Sequence, residues 1–176
     1  RGFTTAARQA EAAQRRGMLP ANFAFLSLSE RNRIDDHLAS GGSLSLAIFE
    51  IKNFLVFANL FGADITALIL DASAREVHAL AREEHPGVAC YVERLAEGKV
   101  MLLCLHKAGQ APDLSDMAAG MRLKLKASLK AHSLKLTGQT LDIAAGHAAI
   151  TQTGAGTLEH ALYNALCEAQ HVAKGE

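Results

Sequence analysis

The sequence is poor in the features that mark several large protein classes. Its 176 residues contain no tryptophan, three prolines and three cysteines, and its 18 basic residues are balanced by 18 acidic ones. A formal net charge of zero lacks the surplus of Lys and Arg that nucleic acid polymers and acidic membranes attract. No uninterrupted apolar run approaches the roughly 18 residues of a transmembrane helix. We therefore expect no binding to nucleic acid polymers and no direct membrane insertion.

Cysteine and histidine are too scattered to indicate a reactive or metal-binding site. Cys90, Cys104 and Cys167 are odd in number, form no CxxC pair and lie in apolar segments. This predicts reduced, buried and inert thiols in a cytoplasmic domain. The eight histidines form no HxxxH or CxxH motif, and Cys167 with His171 would supply only two ligands on one helical face. We predict no metal site from these residues.

The first segment, residues 1–17, predicts a polar helix with few core positions. Such a helix joins other structure, so we expect a signalling or linker helix that leads from an adjacent domain or pairs with a second copy. The chain begins Arg1-Gly2 without a signal-peptide core, and we expect it to be a piece of a longer multidomain protein. The domain would be cytoplasmic, although the full-length protein could be membrane-anchored.

Apolar periodicity and capping signals divide the remaining chain into helices and strands. Ser27 and Glu30 have the spacing of a capping box, and two apolar arms flank a tight turn at residues 96–99. The basic run 122–136 fits the solvated face of a core-packing helix, with contact to acidic lipid or a partner as the alternative. The predicted helices are 27–39, 53–61, 64–84, 113–132 and 157–173. Phe54, Phe57 and Phe61 form a core stripe on the second, and either Asp113 or Ser115 caps the fourth. The predicted strands are 43–51, 88–95, 100–105 and 140–150, with Gly146 as either a bulge or a point of close approach. This order predicts an α+β fold with helices on the faces of a sheet.

Four segments resemble, in order and spacing, the GGDEF domains of bacterial diguanylate cyclases. Residues 19–25 (LPANFAF) resemble the entry motif, and residues 46–62 (LAIFEIKNFLVFANLFG) resemble the first strand and the helix after it. The turn at 96–100 falls where the GGDEF turn belongs, and Ala161-Leu162-Tyr163 resembles the last helix. The resemblance implies that residues 18–176 form a GGDEF-like domain. Its fold would be nucleotidyl cyclase-like, with a mostly antiparallel sheet flanked by helices and the N-terminal linker helix ahead of it.

The resemblance also implies where an active site would lie. In the active family, two GTP-loaded domains meet and form cyclic di-GMP, each with magnesium bound by one carboxylate on the first strand and another in the turn. The first-strand position is Glu50, and the carbonyl of Ile51 would assist it. The turn itself reads Ala96-Glu97-Gly98-Lys99-Val100. The second metal carboxylate would therefore sit at Gly98 or Lys99, which have no carboxylate.

Other positions implied by the resemblance have also lost their chemistry. The positions that would bind phosphate and guanine hold Leu55, Ala58, Ala67, Leu166 and Gln170. The family's inhibitory RxxD motif would fall at Gly87 and Cys90. A separate match, Arg33 to Asp36, lies on an early helix, where we interpret it as a solvated pair. Phosphoryl transfer depends on positioned charge, and these losses together would remove it.

These observations predict a catalytically inactive GGDEF-like domain with a regulatory or scaffolding role in cyclic di-GMP signalling. One alternative is a non-catalytic sensor of GTP or cyclic di-GMP, supported by the remnant Glu50. Another is an active cyclase with unusual ligands, against which Gly98 and Lys99 argue. No cofactor is expected, except magnesium at Glu50 if some GTP binding persists. The expected partners are adjacent domains of the same chain, a second copy through the N-terminal helix, or one of the two nucleotides.

Overall fold

The structure, a computed structural model, describes residues 27–151 and 158–175. The predicted helix at 1–17, the LPANFAF segment and the predicted start of the last helix at Thr157 lie outside the described residues. The described elements are α1 (Leu28–Ala39), β1 (Ser43–Ile51), α2 (Phe54–Glu84), β2 (Ala89–Leu95), β3 (Lys99–His106), α3 (Leu114–Thr137), β4 (Ile143–Ile150) and α4 (Leu158–Gly175).

The described strands form one antiparallel sheet in the order β2-β3-β1-β4. Its two central strands are β3 and β1. Strand β1 is a nearly continuous apolar run, because a strand covered on both faces has little polar side chain to expose. Leu46, Ile48 and Met101 face the layer of α1 and α4, whereas Phe49 and Leu102 face the layer of α2 and α3. The predicted α+β sheet with helices on both faces is confirmed.

Helix ends follow the expected capping chemistry, with one correction. Ser27 Oγ accepts from Glu30 N at 3.1 Å and Glu30 Oε1 accepts from Ser27 N at 2.9 Å, which confirms the capping box. The prediction that the helix from Asp113 ends near His132 is wrong. It continues to Thr137 because Ser133 keeps the buried spacing, and the left-handed Gly138 (φ 74°) ends it.

Helix α2 changes direction at Gly62, which confirms the predicted stop. Gly62 has non-helical torsions (φ 85°, ψ 171°), and helical geometry resumes directly after it. The segment before Gly62 leaves Leu55, Val56 and Leu60 exposed. By length and composition alone, α2 is long and apolar enough to cross a membrane. Core helices of soluble proteins, which are mostly buried, pass the same test. Here 17% of the apolar window is buried, and beyond Gly62 the helix packs Ile69 and other apolar residues against the sheet.

The basic run on α3 is the solvated face of a core-packing helix, as predicted. Leu125 and Leu129 are buried under the sheet, while Lys124 and Lys126 point outward. Lys124 pairs with Glu84 of α2, and Lys126 lies 3.8 Å from an Asp142 carboxylate oxygen. Exposed pairs of this kind contribute little stability, so the buried leucines hold the helix in place.

Gly146 is the point of close approach between β4 and α4. A Cβ at this position would lie 1.9 Å from the carbonyl oxygen of Ala169 and 3.0 Å from the backbone nitrogen of Ala173. Only glycine lets the helix backbone lie this close to the strand. The sequence prediction for Gly146 is confirmed, and the contact fixes α4 against the sheet.

Candidate functional site

The tip of the β2–β3 hairpin contacts the C-terminal end of β1, at one end of the strands of the sheet. Residues 96–98 connect Leu95 to Lys99, which are paired across the hairpin. Glu97 (φ 60°) and Gly98 (φ 75°) are both left-handed, a conformation that costs a non-glycine residue about 1 kcal/mol. The backbone N–H of Ile51 donates to the carbonyl of Gly98 at 3.0 Å. The turn is therefore fastened to the strand that carries Glu50.

Lys99 is the central charged residue of this edge. It pairs directly with Glu50 in the β1–β3 ladder, where opposite Cβ atoms lie about 5 Å apart on the same face. Lys99 is only 4% exposed to solvent, and its Nζ lies 3.6 Å from Oε2 of the half-exposed Glu97. A buried ammonium group thus lies beside two carboxylate-bearing positions. Its charge is opposite to that of a metal-binding carboxylate.

The space above the turn is filled by an aromatic ring. A Cβ on Gly98 would lie 2.2 Å from Cδ1 of Phe54 and 2.6 Å from its Cγ. The cavity that touches Gly98 on the α2 and α3 side is lined by apolar residues such as Ile51 and Val100 and measures about 10 Å³, room for about one water molecule. The turn position that would carry a carboxylate has no space for one.

These residues do not fit a magnesium site. Magnesium requires several oxygen ligands in near-octahedral geometry, whereas this edge offers Glu50 beside a lysine. Across the part of the chain that the structure describes, no three or more His, Cys, Asp or Glu side chains are arranged to hold a metal ion. No catalytic step that needs the metal follows from this geometry.

The remaining positions implied by the resemblance are divided between the surface and the core. Leu55 is exposed on α2, and Ala58 and Ala67 are partly buried on the same helix. Leu166 and Gln170 are buried where α4 packs on the sheet. None of these side chains carries a charge that could contact a triphosphate.

The RxxD match on α1 and the first position of the family's inhibitory RxxD motif line the same groove. Arg33 and Asp36 of α1 are exposed, as the interpretation of a solvated pair requires. Both also line a groove of about 560 Å³ that includes Gly87 and Lys107. The helical pair thus lies near one of the positions where the family's inhibitory motif would begin. This proximity is not evident from the sequence, because α1 and the segment that contains Gly87 are far apart along the chain.

A partly buried cluster of three histidines lies beside this groove, and the sequence alone does not reveal it. His37 Nε2 donates to the carbonyl of His106 at 2.8 Å and to that of Ser43 at 3.1 Å. His106 Nε2 and Ser45 Oγ are hydrogen-bonded at 2.6 Å, and the ring of His85 lies edge-on to His106 at 5.6 Å. Burial, helped by the nearby His85 and His37, lowers the pKa of His106. The cluster stabilises the neutral form of His106.

Two of the three cysteines form a pair that the sequence alone did not reveal. Cys90 and Cys104 are partners in the β2–β3 register, with Sγ atoms hydrogen-bonded at 2.9 Å. Both lie at the same sequence distance from Glu97 in the hairpin turn. If the strand register were known from the sequence, the predicted hairpin would place them opposite each other. The hydrogen bond from Cys104 lowers the pKa of Cys90, and that bond together with burial raises the pKa of Cys104.

Solved structures with the same architecture identify the fold. An active GGEEF domain of a diguanylate cyclase from Vibrio cholerae has a TM-score of 0.59 at 10% identity, with 85% of this chain and 88% of that chain covered. A sensory box/GGDEF family protein from Caulobacter crescentus has a TM-score of 0.57 at 19% identity, covering 83% and 88%. The fold is that of a GGDEF domain.

A third similar structure is a diguanylate cyclase in complex with another protein. The diguanylate cyclase SiaD from Pseudomonas aeruginosa, in complex with its activator SiaC, has a TM-score of 0.59 at 16% identity, with 96% of this chain and 63% of that chain covered. No family model matches the chain, and no curated protein matches it. The order and spacing of the sequence segments nevertheless indicate a GGDEF-like fold, and the structural comparison confirms this fold.

Proposed function

We propose that this domain is a catalytically inactive GGDEF-like domain with a regulatory or scaffolding role in cyclic di-GMP signalling. The observation that carries the proposal is Lys99, buried in register with Glu50 at the place where an active domain would bind a metal. A divalent cation would have to bind beside this ammonium group, and the repulsion between two nearby cations opposes that.

The rest of the turn supports the same proposal. Phe54 occupies the space above Gly98, and the carboxylate of Glu97, half-exposed at the tip, would repel a triphosphate. Electrostatic stabilisation is the main contribution of a protein to phosphoryl transfer. A site with this charge pattern would lack that contribution at both the metal and the phosphates.

The scaffolding role would depend on contacts with other protein surfaces. One structural neighbour is a diguanylate cyclase in complex with its activator, which supports a GGDEF fold as a docking unit for a regulatory protein. For this chain we infer that the partner is an adjacent domain of the same protein or a second copy that pairs through the N-terminal segment. The domain would then transmit a signal without turning over a nucleotide.

A turnover assay tests the inactivity. The purified domain is incubated with GTP and magnesium, and cyclic di-GMP is measured by chromatography beside an active diguanylate cyclase. We expect no product above the enzyme-free background. Sustained product formation that scales with protein concentration would contradict the proposal.

The regulatory role needs the full-length protein. Deletion of residues 27–175 is expected to change cellular cyclic di-GMP levels or the activity of the neighbouring domain, although the isolated domain makes no product. An unchanged output, with normal abundance of the shortened protein, would reject a regulatory role.

A second candidate function is a sensor that binds a nucleotide without turnover. The groove of Arg33, Asp36, Gly87 and Lys107 favours it, because it places two cationic side chains on about 560 Å³ of open space. Calorimetric titration with cyclic di-GMP, and separately with GTP and magnesium, distinguishes the two functions. Micromolar binding lost in Arg33→Ala supports the sensor, whereas absence of heat with a folded sample supports the scaffold.

A further inference from the structure

Two of the cysteines in the described residues have thiols in direct contact across neighbouring strands. Cys90 lies on β2, the edge strand, and Cys104 lies on β3 next to it. The register makes them direct partners, with Sγ atoms 2.9 Å apart. A disulfide needs Cβ atoms about 3.5–4.5 Å apart and an S–S bond of about 2.0 Å. Directly opposite residues of an antiparallel pair approach that spacing, so bond formation needs only a small local movement.

Access to the pair is one-sided. Cys104 is fully buried in the cluster beneath α2 and α3. Cys90 is partly exposed and lines an open groove of about 490 Å³ along the sheet edge, together with Arg75 and His78 of α2. A small oxidant in the groove would therefore meet Cys90 first, and Cys104 would be held behind it.

We propose that Cys90 and Cys104 form a redox-sensitive modification site that closes to an intrachain disulfide under a peroxide oxidant. Cys90 is the attacking thiol and Cys104 is the resolving thiol. This assignment does not depend on the proposed function of the domain.

The two steps balance with hydrogen peroxide as oxidant. The Cys90 thiolate attacks one peroxide oxygen, the O–O bond breaks, and Cys90 becomes a sulfenic acid as hydroxide leaves. The sulfur of Cys104 then attacks the sulfenic sulfur, an S–S bond forms, and water leaves with the proton of Cys104. Two thiols are oxidised by two electrons in total and one peroxide is reduced to water. A thiol reductant reverses the change.

The shared hydrogen bond supports the order of the steps. It lowers the pKa of Cys90 and raises the pKa of Cys104. The thiolate, which is the reactive form, therefore develops at the accessible sulfur. The proton stays at the buried sulfur and passes to the leaving oxygen as Cys104 attacks in the second step.

The consequence of oxidation would appear in the hairpin. A bond between positions 90 and 104 would tie the edge strand to its neighbour and restrict opening of the segment that carries the turn at 96–98. Cys167 lies on α4, which packs on the opposite face of the sheet. It is separated from the pair by the sheet and serves as an internal control.

Thiol counting with a maleimide and mass spectrometry tests the proposal. The purified domain is fully reduced, treated with hydrogen peroxide, unfolded and labelled. We expect the number of labelled cysteines to fall from three to one in the wild-type protein, and dithiothreitol to restore it. The matched control Cys167→Ser is expected to fall from two to none. Peptide mapping should identify the 90–104 link.

Single variants of the pair make the proposal falsifiable. Cys90→Ser, at the half-exposed edge, and Cys104→Ala, which keeps the core apolar, should each abolish the intrachain link. Hydrogen exchange of residues 89–106 should slow on oxidation of the wild type and stay unchanged in Cys90→Ser. Three labelled cysteines after peroxide treatment, or a link that involves Cys167 or joins two chains, would overturn the proposal.

Discussion

Lys99 lies directly across the β1–β3 ladder from Glu50, buried on the sheet face that α1 and α4 cover. Its ammonium group also lies 3.6 Å from a carboxylate oxygen of Glu97. The sheet edge therefore holds a fixed protein cation between two acidic positions. Lys99 is thus the strand partner of one acidic residue and within ion-pair distance of the other, and removal of its charge tests whether it takes the place of a bound metal ion.

The variant Lys99→Glu should be unstable and newly dependent on divalent cations. Three neighbouring carboxylates would repel each other, and we expect a loss of about 1–3 kcal/mol in unfolding free energy, reduced by the partial exposure of Glu97. Millimolar magnesium should raise the melting temperature of the variant by ligand linkage and leave the wild type unchanged.

The matched control is Lys130→Glu, an exposed position on α3. It should change stability by less than about 0.5 kcal/mol and show no magnesium response. If magnesium shifts the melting temperatures of wild type and Lys99→Glu equally, Lys99 does not replace a cation at this edge.

Gly98 and Phe54 should be energetically coupled. Gly98→Ala places a Cβ against the Phe54 ring and strains a left-handed residue, and we expect a cost of about 2–3 kcal/mol. Phe54→Ala removes the obstructing ring, so the double variant should lose at least about 1 kcal/mol less than the sum of the single losses. Urea denaturation of the four proteins measures this coupling.

Gly109 provides the control for the double-mutant cycle of Gly98 and Phe54. It has a similar left-handed torsion (φ 74°), and no atom lies within 4 Å of the place where its Cβ would be. Gly109→Ala should show only the backbone cost and should be additive with Phe54→Ala. If the losses of unfolding free energy from Gly98→Ala and Phe54→Ala are also additive, the Phe54 ring moves aside at no cost. The ring then does not close the space above the turn.

The local parts of this fold could be predicted from the sequence, whereas the contacts between distant segments could not. The capping box at Ser27, the stop at Gly62 and the close approach at Gly146 each follow from the residue itself. The partners of Lys99 and Cys90 depend on strand register, which depends on turn geometry and on the packing of both sheet faces. The GGDEF resemblance located the turn, but the burial of Lys99 became visible only in the structure.

Two errors of interpretation have the same physical origin. Apolar periodicity predicts too early an end for the helix from Asp113, because Ser133, a polar residue, is buried through a hydrogen bond to the carbonyl of Gln139. Sequence motifs treat each histidine alone, whereas His37 and His106 come together only where α1 packs beside the end of β3. A scan for motifs within one segment cannot detect a contact between segments.

Gly146→Ala should be among the most damaging alanine substitutions in the sheet. The added carbon would lie 1.9 Å from a backbone oxygen of Ala169, and neither backbone can move without loss of strand pairing or helix packing. We expect a loss of at least about 1–3 kcal/mol, measured by urea denaturation. Gly120→Ala on α3, where no atom lies within 4 Å, should instead be neutral or stabilising by up to about 1 kcal/mol. Equal effects at the two glycines would refute the close-approach interpretation.

The buried His106 should make the fold sensitive to mild acid. Burial lowers the pKa of His106 from the ordinary value of 6.5, so the unfolded chain takes up this proton at a higher pH than the folded one. The contribution of His106 is therefore fully present above pH 6.5 and is lost as the pH falls from 6.5 through the lower folded pKa. Electrostatic repulsion from the neighbouring His85 and His37 adds to the effect of burial on the pKa of His106.

His106→Gln should flatten this pH dependence, because it retains a hydrogen-bonding group toward Ser45 without a titratable ring. Urea denaturation at several pH values between neutral and mildly acidic conditions measures the slope for each protein. The exposed His78 of α2 provides the control, and His78→Gln should keep the wild-type slope. If His106→Gln retains the full loss of stability below pH 6.5, another group is responsible for the acid sensitivity.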